Sequence, residues 1–337
     1  MTGFAVSPLA VSLGDPAGVG PELLAEAWIR RETEGLPAFF AVGGAAVIAA
    51  AAARRGLEVP IRCIDDPGEA PALFASALPV LGDFDGGYCP GKPDPAGAAL
   101  ALASLREATR LAVAGLASGL VTGPIAKSRL AEVGFAHPGQ TEFVAEACGI
   151  AAEDAVMMLA GPSLRTVPLT VHVALAAVPG LITAALIERR AAIAAAALRR
   201  DFGIAAPRLA IAALNPHAGE EGRMGDEEAR VIAPAIAALR ARGIDASGPH
   251  PADALFAAHA RATYDLAICM YHDQALIPVK ALAFDVGVNV TLGLPIVHTS
   301  PDHGTAFAIA GQRLASAGAT IAAIRMAGEC SGWRAAA

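Results

Sequence analysis

Short β-branched runs alternate along this chain with longer alanine-rich stretches of helical period. That alternation restricts the architecture more than any other feature of the sequence. Leu9–Leu13, Phe39–Val42, Gly119–Thr122, Ala155–Leu159, Thr166–His172, Arg208–Leu214, Leu266–Met270 and Val288–Leu292 read as strands. Pro21–Glu32, Pro95–Ala117, Gln140–Ala147, Pro179–Arg200, Gly225–Arg242, Pro251–Ala262, Gly304–Ala310 and Ala315–Glu329 read as helices. Parallel neighbours need a crossover long enough to hold a helix, so the pattern predicts an α/β fold with a mostly parallel sheet. The length, 337 residues, leaves room for about two domains, and the signals for a change of domain lie near Arg129–Pro138. No internal repeat is present. Gly82–Gly87 and the Pro-rich segment after it read as an exposed loop.

The composition narrows the possibilities further. Hydrophobic residues make up 55% and charged residues 17%, with a mean hydropathy of +0.50. That is enough for a large core and excludes a disordered chain. A net charge of −7 without a basic stripe argues against nucleic acid and against an anionic membrane surface as partners. The cysteines Cys63, Cys89, Cys148, Cys269 and Cys330 are odd in number and form no C-x-x-C. They argue against a disulfide framework or a cysteine zinc site and fit a reducing cytoplasm. The first residues carry no basic n-region, so no signal peptide is expected. Phe39–Ala53 is too short to span a bilayer. Pro168–Ile187 is long enough but holds Thr170, His172 and Pro179, and it reads as buried core with a strand-like and a helix-like half.

Gly14–Glu22 follows the first strand and precedes a helix, but it lacks the third glycine of a dinucleotide fingerprint. Gly119–Ser128 ends in Lys-Ser without the spacing of a phosphate-binding P-loop. The Gly14–Glu22 segment is either a tight strand-to-helix turn or a ligand-facing loop at a strand's carboxyl end. Three histidines share one setting: His172, His217 and His272 each follow a strand. With parallel strands all three lie at the sheet edge where open α/β sheets bind ligands. One such histidine is unremarkable as a polar residue at a strand end. Three in equivalent places point to a divalent-metal site with coordination positions open to substrate. Asp273 is placed to steady a ligating imidazole or to contact substrate. His137, His250 and His259 read as surface or turn residues. Lys280, otherwise a solvated helix end, combines with Asn289 to suit an anionic, oxygen-rich substrate. Thr299–Gly311 reads as a polar loop opening a helix, suited to pyrophosphate or adenosine.

Six motifs together resemble a known family. Leu13–Glu22 (LGDPAGVGPE), Thr122–Lys127 (TGPIAK), Pro138–Phe143 (PGQTEF), Asn215–Gly225 (NPHAGEEGRMG), Tyr271–Lys280 (YHDQALIPVK) and Gly287–Pro295 (GVNVTLGLP) are similar, in order, to 4-hydroxythreonine-4-phosphate dehydrogenases. His303–Gly311 also resembles the adenosine-binding loop of isopropylmalate and isocitrate dehydrogenases. The resemblance implies two α/β/α domains of the isocitrate/isopropylmalate dehydrogenase type, with the active site in the interdomain cleft. Residues 1–130 with 300–337 would bind NAD, and 131–299 would hold metal and substrate and dimerise. It implies a homodimer with the active site at the subunit interface. One zinc, magnesium or cobalt ion would be held there by His172, His217 and His272, drawn from both subunits. It further implies NAD or NADP at His303, Gly304, Thr305, Ala306 and Gly311, substrate contacts from Gln140, Thr141, Lys280, Asn289 and His298, and catalytic roles for Lys280 and Asp273. The implied reaction oxidises 4-phosphohydroxy-L-threonine at C3. Decarboxylation then gives 3-amino-2-oxopropyl phosphate, in pyridoxal 5'-phosphate biosynthesis.

Three positions depart from the family pattern. Gln140 stands where His is usual, His298 where Arg is usual, and Ala308 where Asp is common. A histidine in place of the arginine is expected to serve best as imidazolium. It would titrate near pH 6.5, so KM for a phosphorylated substrate should rise between about pH 6 and 8. The alternative is that His298 turns away and Lys280 with backbone amides holds the anion. The departures also admit the same chemistry on a different substrate, a four-carbon sugar-acid phosphate or a dihydrodiol dicarboxylate. A non-catalytic metal- or nucleotide-binding relative is a third reading, against which the three histidines speak.

Overall fold

Runs of three to six residues, most of them apolar, form the strands of the computed structural model, which describes residues 7–336. In chain order they are β1 (Leu9–Ser12), β2 (Phe39–Val42), β3 (Ile61–Ile64), β4 (Leu78–Leu81), β5 (Leu120–Thr122), β6 (Val156–Gly161), β7 (Leu164–Pro168), β8 (Arg208–Ala212), β9 (Asp245–His250), β10 (Leu266–Cys269), β11 (Val288–Leu292) and β12 (His298–Pro301). They belong to two compact units. The first runs to Ala152 and resumes over Leu294–Ala336, and the second is Glu153–Gly293.

The first unit orders its strands β3-β4-β2-β1-β5-β12, and every pair is parallel. β1, β2, β4 and β5 are buried along their whole length, as strands covered on both faces must be. The helix Pro95–Val113 starts where Asp94 accepts a hydrogen bond from the Gly97 amide at 2.7 Å, with Pro95 in the first turn. Its Ser104 hydroxyl donates to Val42 O at 2.6 Å and accepts from Leu13 N at 2.8 Å, fixing the helix across β1 and β2. Phe143, on the helix Gln140–Ala147, packs with Ala101 and Leu105 of that long helix. The segment after Arg129–Pro138 is thereby kept in the first unit up to Ala152.

The second unit orders its strands β11-β6-β7-β10-β8-β9. β6 pairs antiparallel with both β11 and β7. β7, β10, β8 and β9 are mutually parallel. The sheet edge expected for the three histidines therefore exists: β7, β8 and β10 all end on it.

Several elements differ from the sequence reading, each for a physical reason. β9 (DASGPH) carries Gly and Pro and is an edge strand, where a missing N–H is tolerated. β12 (HTSP) is polar in sequence yet mostly buried against β5. The helix His272–Ala283 was masked by its interior Pro278. The helix expected over Gly304–Ala310 is only one 3₁₀ turn, Phe307–Ile309. Pro168–Ile187 is not buried core, because residues 172–177 are exposed. No helix among the described residues is long and apolar enough to cross a membrane. All five cysteines are free.

Candidate metal and substrate site

The ends of β7, β10 and β8 are tied together by side chains. Thr170 Oγ1 donates to Met270 O at 2.9 Å. The Met270 amide donates to Gln274 Oε1 at 2.7 Å, and Gln274 Nε2 donates to Ala213 O at 2.8 Å. Gln274 is buried, so this amide bridges the turn after β10 and the end of β8 in a setting where unmade hydrogen bonds are costly. The residues that follow these ties are the three histidines.

His172 turns the chain out of β7 in left-handed backbone, φ 53°, a conformation histidine adopts more readily than most residues. His272 is the first residue of the helix His272–Ala283. The two rings lie with centroids 5.8 Å apart. They open on a cavity of about 320 Å³ that Thr170, Tyr271 and Asp273 line on the polar side and Val173, Leu175 and Val178 on the apolar side. His272 Nδ1 lies 2.7 Å from Asp273 Oδ1. A carboxylate on Nδ1 fixes the tautomer and leaves Nε2 for a cation, the arrangement that orients metal-bound histidine. The donor chemistry of this pair fits a divalent metal such as zinc.

His217 is not part of that group. Among the described residues no three His, Cys, Asp or Glu side chains converge closely enough to hold a metal. His217 lies in Pro216–Gly222, where His217, Ala218, Gly219, Glu220 and Glu221 all have positive φ, 50°, 54°, 79°, 41° and 57°. A single chain thus presents two imidazoles together and the third on a separate left-handed loop at the same sheet edge.

Lys280 and Asn289 also lie away from the cavity. Eight residues along its helix, Lys280 is about 12 Å from His272 by helical rise. Asn289 is on β11, three places from β10 in the strand order and so about 14 Å to the side. Neither lines the cavity.

The first unit holds the other predicted contacts, and two departures from the family pattern meet there. Thr122 Oγ1 donates to Gln140 Oε1 at 3.1 Å and lies 3.1 Å from His298 Nε2, while Gln140 Nε2 donates to Gly123 O at 3.0 Å. Since the hydroxyl proton goes to Gln140, Thr122 accepts from His298, which places that ring's proton on Nε2. His298 is only 3% exposed, and burial pushes its pKa down to about 4. The imidazolium expected at this position is therefore not the form present at neutral pH. Thr141 follows Gln140 at the start of its helix and is half-buried.

The segment from His303 to Gly311 is shaped by its neighbours. His303 Nδ1 lies 3.0 Å from Gly304 O. Thr305 O accepts from Val19 N at 3.0 Å. A Cβ on Gly18 would sit 2.8 Å from that same oxygen, so the glycine permits the approach. Ala306 is left-handed, φ 46°. Gly311 O accepts from Arg54 Nε at 2.9 Å, and Arg55 Nη2 donates to Ala315 O at 2.7 Å. These contacts pack the Gly14–Glu22 segment beneath the Thr305 segment.

Sequence reasoning missed Thr122, Gln274 and Glu228. Thr122 and Gln274 lie inside quoted motifs, and Glu228 follows one closely. Nothing in their own residue types separates them from the surface polar residues around them.

A family profile described as "Pyridoxal phosphate biosynthetic protein PdxA" matches residues 36–327. The 4-hydroxythreonine-4-phosphate dehydrogenase of Erythrobacter litoralis is 63% identical over 328 residues, covering 97% of this chain and 98% of its own length. Among solved structures, 4-hydroxythreonine-4-phosphate dehydrogenase from Klebsiella pneumoniae is 36% identical with a TM-score of 0.86, covering 97% of this chain and 98% of that one. A terephthalate 1,2-cis-dihydrodiol dehydrogenase from Burkholderia xenovorans is 30% identical with a TM-score of 0.64, covering 96% and 98%.

Proposed function

Because the chain belongs to the PdxA family of pyridoxal phosphate biosynthetic proteins, we propose that it oxidises 4-phosphohydroxy-L-threonine at C3 with NAD or NADP. The 3-oxo acid then loses carbon dioxide to give 3-amino-2-oxopropyl phosphate. The observation that carries the reading is the pair His172 and His272, with Asp273 on the second ring, at the sheet edge that also bears His217. We assign the divalent cation to His172 and His272 of one chain and His217 of a second copy. Around the cavity, Val173 and Leu175 are exposed, as are Ile277 on the His272 helix and Phe284 just beyond its end, Phe284 by 74%. Exposed apolar groups of this kind suit the face of a homodimer. The free thiols suit a reducing compartment.

The residues divide the work by chemical type. Asp273 accepts the Nδ1 proton of His272 and holds that ring with Nε2 outward. Lys280 and Asn289 lie outside the histidine cavity, so their ammonium and amide would serve the part of an anionic substrate that extends beyond it. Burial keeps His298 neutral and Thr122, held by Gln140, orients its ring, so this position offers dipoles instead of charge. The segment from His303 to Gly311 serves the nicotinamide cofactor. When bound, a divalent cation supplies Lewis acidity toward an alcohol oxygen and the cofactor takes the hydride.

A neutral His298 also favours a second reading, the same oxidative decarboxylation on another hydroxy acid. Reduced cofactor formation across a panel of phosphorylated and dicarboxylic hydroxy acids, with and without chelator, tests both. Turnover of 4-phosphohydroxy-L-threonine that chelator abolishes is expected. Turnover only of a different acid moves the assignment to the second reading, and turnover indifferent to chelator removes the metal from both.

A further inference from the structure

The loop that carries His217 is wound around one buried carboxylate. Glu228 is 5% exposed and opens a π-turn, Glu228–Ile232. Its Oε1 accepts from the amides of Leu214 at 2.9 Å and Asn215 at 2.7 Å, and its Oε2 accepts from Asn215 Nδ2 at 3.0 Å. All three donors are neutral. They lie at the root of the loop, where the chain leaves the end of β8. At the crest, Oε2 packs against Gly219, where a Cβ would come within 2.6 Å of it.

The loop needs such a post. From His217 to Glu221 the backbone is left-handed throughout, and four of those five residues carry a Cβ that presses on the following carbonyl in that conformation. A run of this kind persists only where its surroundings over-determine it. Within the loop, Met224 N to Gly219 O at 3.1 Å and Arg223 N to Glu220 O at 3.2 Å close its far side. The Glu228 carboxylate touches both root and crest, with His217 between them in the chain, and Glu227 Oε2 adds a second acceptor for Asn215 Nδ2 at 2.7 Å.

We propose that Glu228 is a positioning residue that sets how His217 is presented to a divalent cation. The inference rests on the reading of His217 as a ligand. It extends that reading to a carboxylate that reaches the metal through backbone and loop shape, without touching the imidazole.

The test uses the full-length protein and Co²⁺, whose visible absorption reports both affinity and ligand geometry. Glu228→Gln puts an NH₂ group where Oε2 meets the Asn215 amide and the Gly219 backbone, or turns it toward the two backbone donors. Either way the loop loses an anchor. The expected result is a Co²⁺ Kd raised roughly ten- to a hundredfold, the usual range for groups that support a ligand, with altered visible bands and an unchanged far-ultraviolet spectrum. Gly219→Ala leaves the carboxylate intact and pushes the loop away from it, so it should shift affinity in the same direction. It also decides the matter if Glu228→Gln fails to fold. His217→Ala separates the two levels. If that variant binds Co²⁺ as the wild type does, the ligand reading fails and this inference with it. If it loses Co²⁺ while folded Glu228→Gln and Gly219→Ala keep wild-type affinity and bands, the positioning role alone is overturned. A variant that is merely less stable, with native Co²⁺ binding in its folded fraction, overturns it equally.

Discussion

His272 and His298 are the same side chain put to opposite uses. His272 lines a cavity, its side chain 38% exposed, with a carboxylate on one nitrogen. His298 is sealed in the first unit beside a threonine hydroxyl, and burial holds it neutral. The first setting suits a ring that gives an electron pair to a cation, as proposed above, and the second a ring that gives a proton in a hydrogen bond. Residue type does not decide between these uses. The deciding factors are how much water reaches the ring and whether its partner is an anion or a neutral hydroxyl.

The largest effect should come from breaking the open site. His217→Ala and His272→Ala are each expected to be inactive. Mixed and allowed to exchange subunits, they should recover about a quarter of wild-type turnover, since half the dimers then carry one intact site. His172→Ala mixed with His272→Ala should recover nothing, because both ligands come from one chain. Equal recovery in the two mixtures would show that the ligands are divided differently.

The closed site should show itself in acid. The unfolded chain protonates His298 near pH 6.5, but the folded chain does so only near pH 4. Its contribution is whole above pH 6.5 and is lost as the pH falls toward 4, by roughly 3 kcal/mol at about 1.4 kcal/mol per pH unit. Urea midpoints for His298→Gln should therefore fall less steeply than wild type over that window. KM should show no step from His298 between about pH 6 and 8, in contrast to an exposed histidine. An NMR titration of the His298 ring with a midpoint near pH 6.5 would put the ring in contact with water and erase the contrast.

Smaller changes sharpen the same comparison. Asp273→Asn keeps an acceptor near His272 but removes the charge, and should weaken divalent-metal affinity about tenfold, measured by chelator competition. Thr122→Val removes the hydroxyl between Gln140 and His298. It should cost about 1 kcal/mol of stability in a denaturant titration, with metal affinity unchanged. A metal defect in Thr122→Val would mean that the two histidine settings are coupled.

The parts legible in the sequence were those set by local pattern. β-branched runs marked β7, β8 and β10, and their parallel pairing put three histidines on one edge. β12 was not legible, because His298-Thr299-Ser300-Pro301 becomes a strand through burial beside β5, and burial is not a property of four residues. His217 could be placed after a strand, but the left-handed run that carries it depends on Glu228, eleven positions on and unremarkable as a residue type. The charge state of His298 was misjudged for the same reason. Substitution of a family arginine suggested a cation, whereas the ring's isolation from water makes it a neutral donor.

The division of the first unit into two stretches of chain bears on how the protein is made. The chain leaves that unit at Ala152 and re-enters it at Leu294. β12 therefore joins β5 only after the whole of Glu153–Gly293 has emerged from the ribosome. During that interval β5 is an open sheet edge, the kind of template on which nascent chains pair wrongly with one another. The second unit is contiguous and has all six of its strands before the first unit can close. Synthesis halted before His298 would leave a complete second unit attached to an unfinished sheet, a product that chaperones would have to shield at β5.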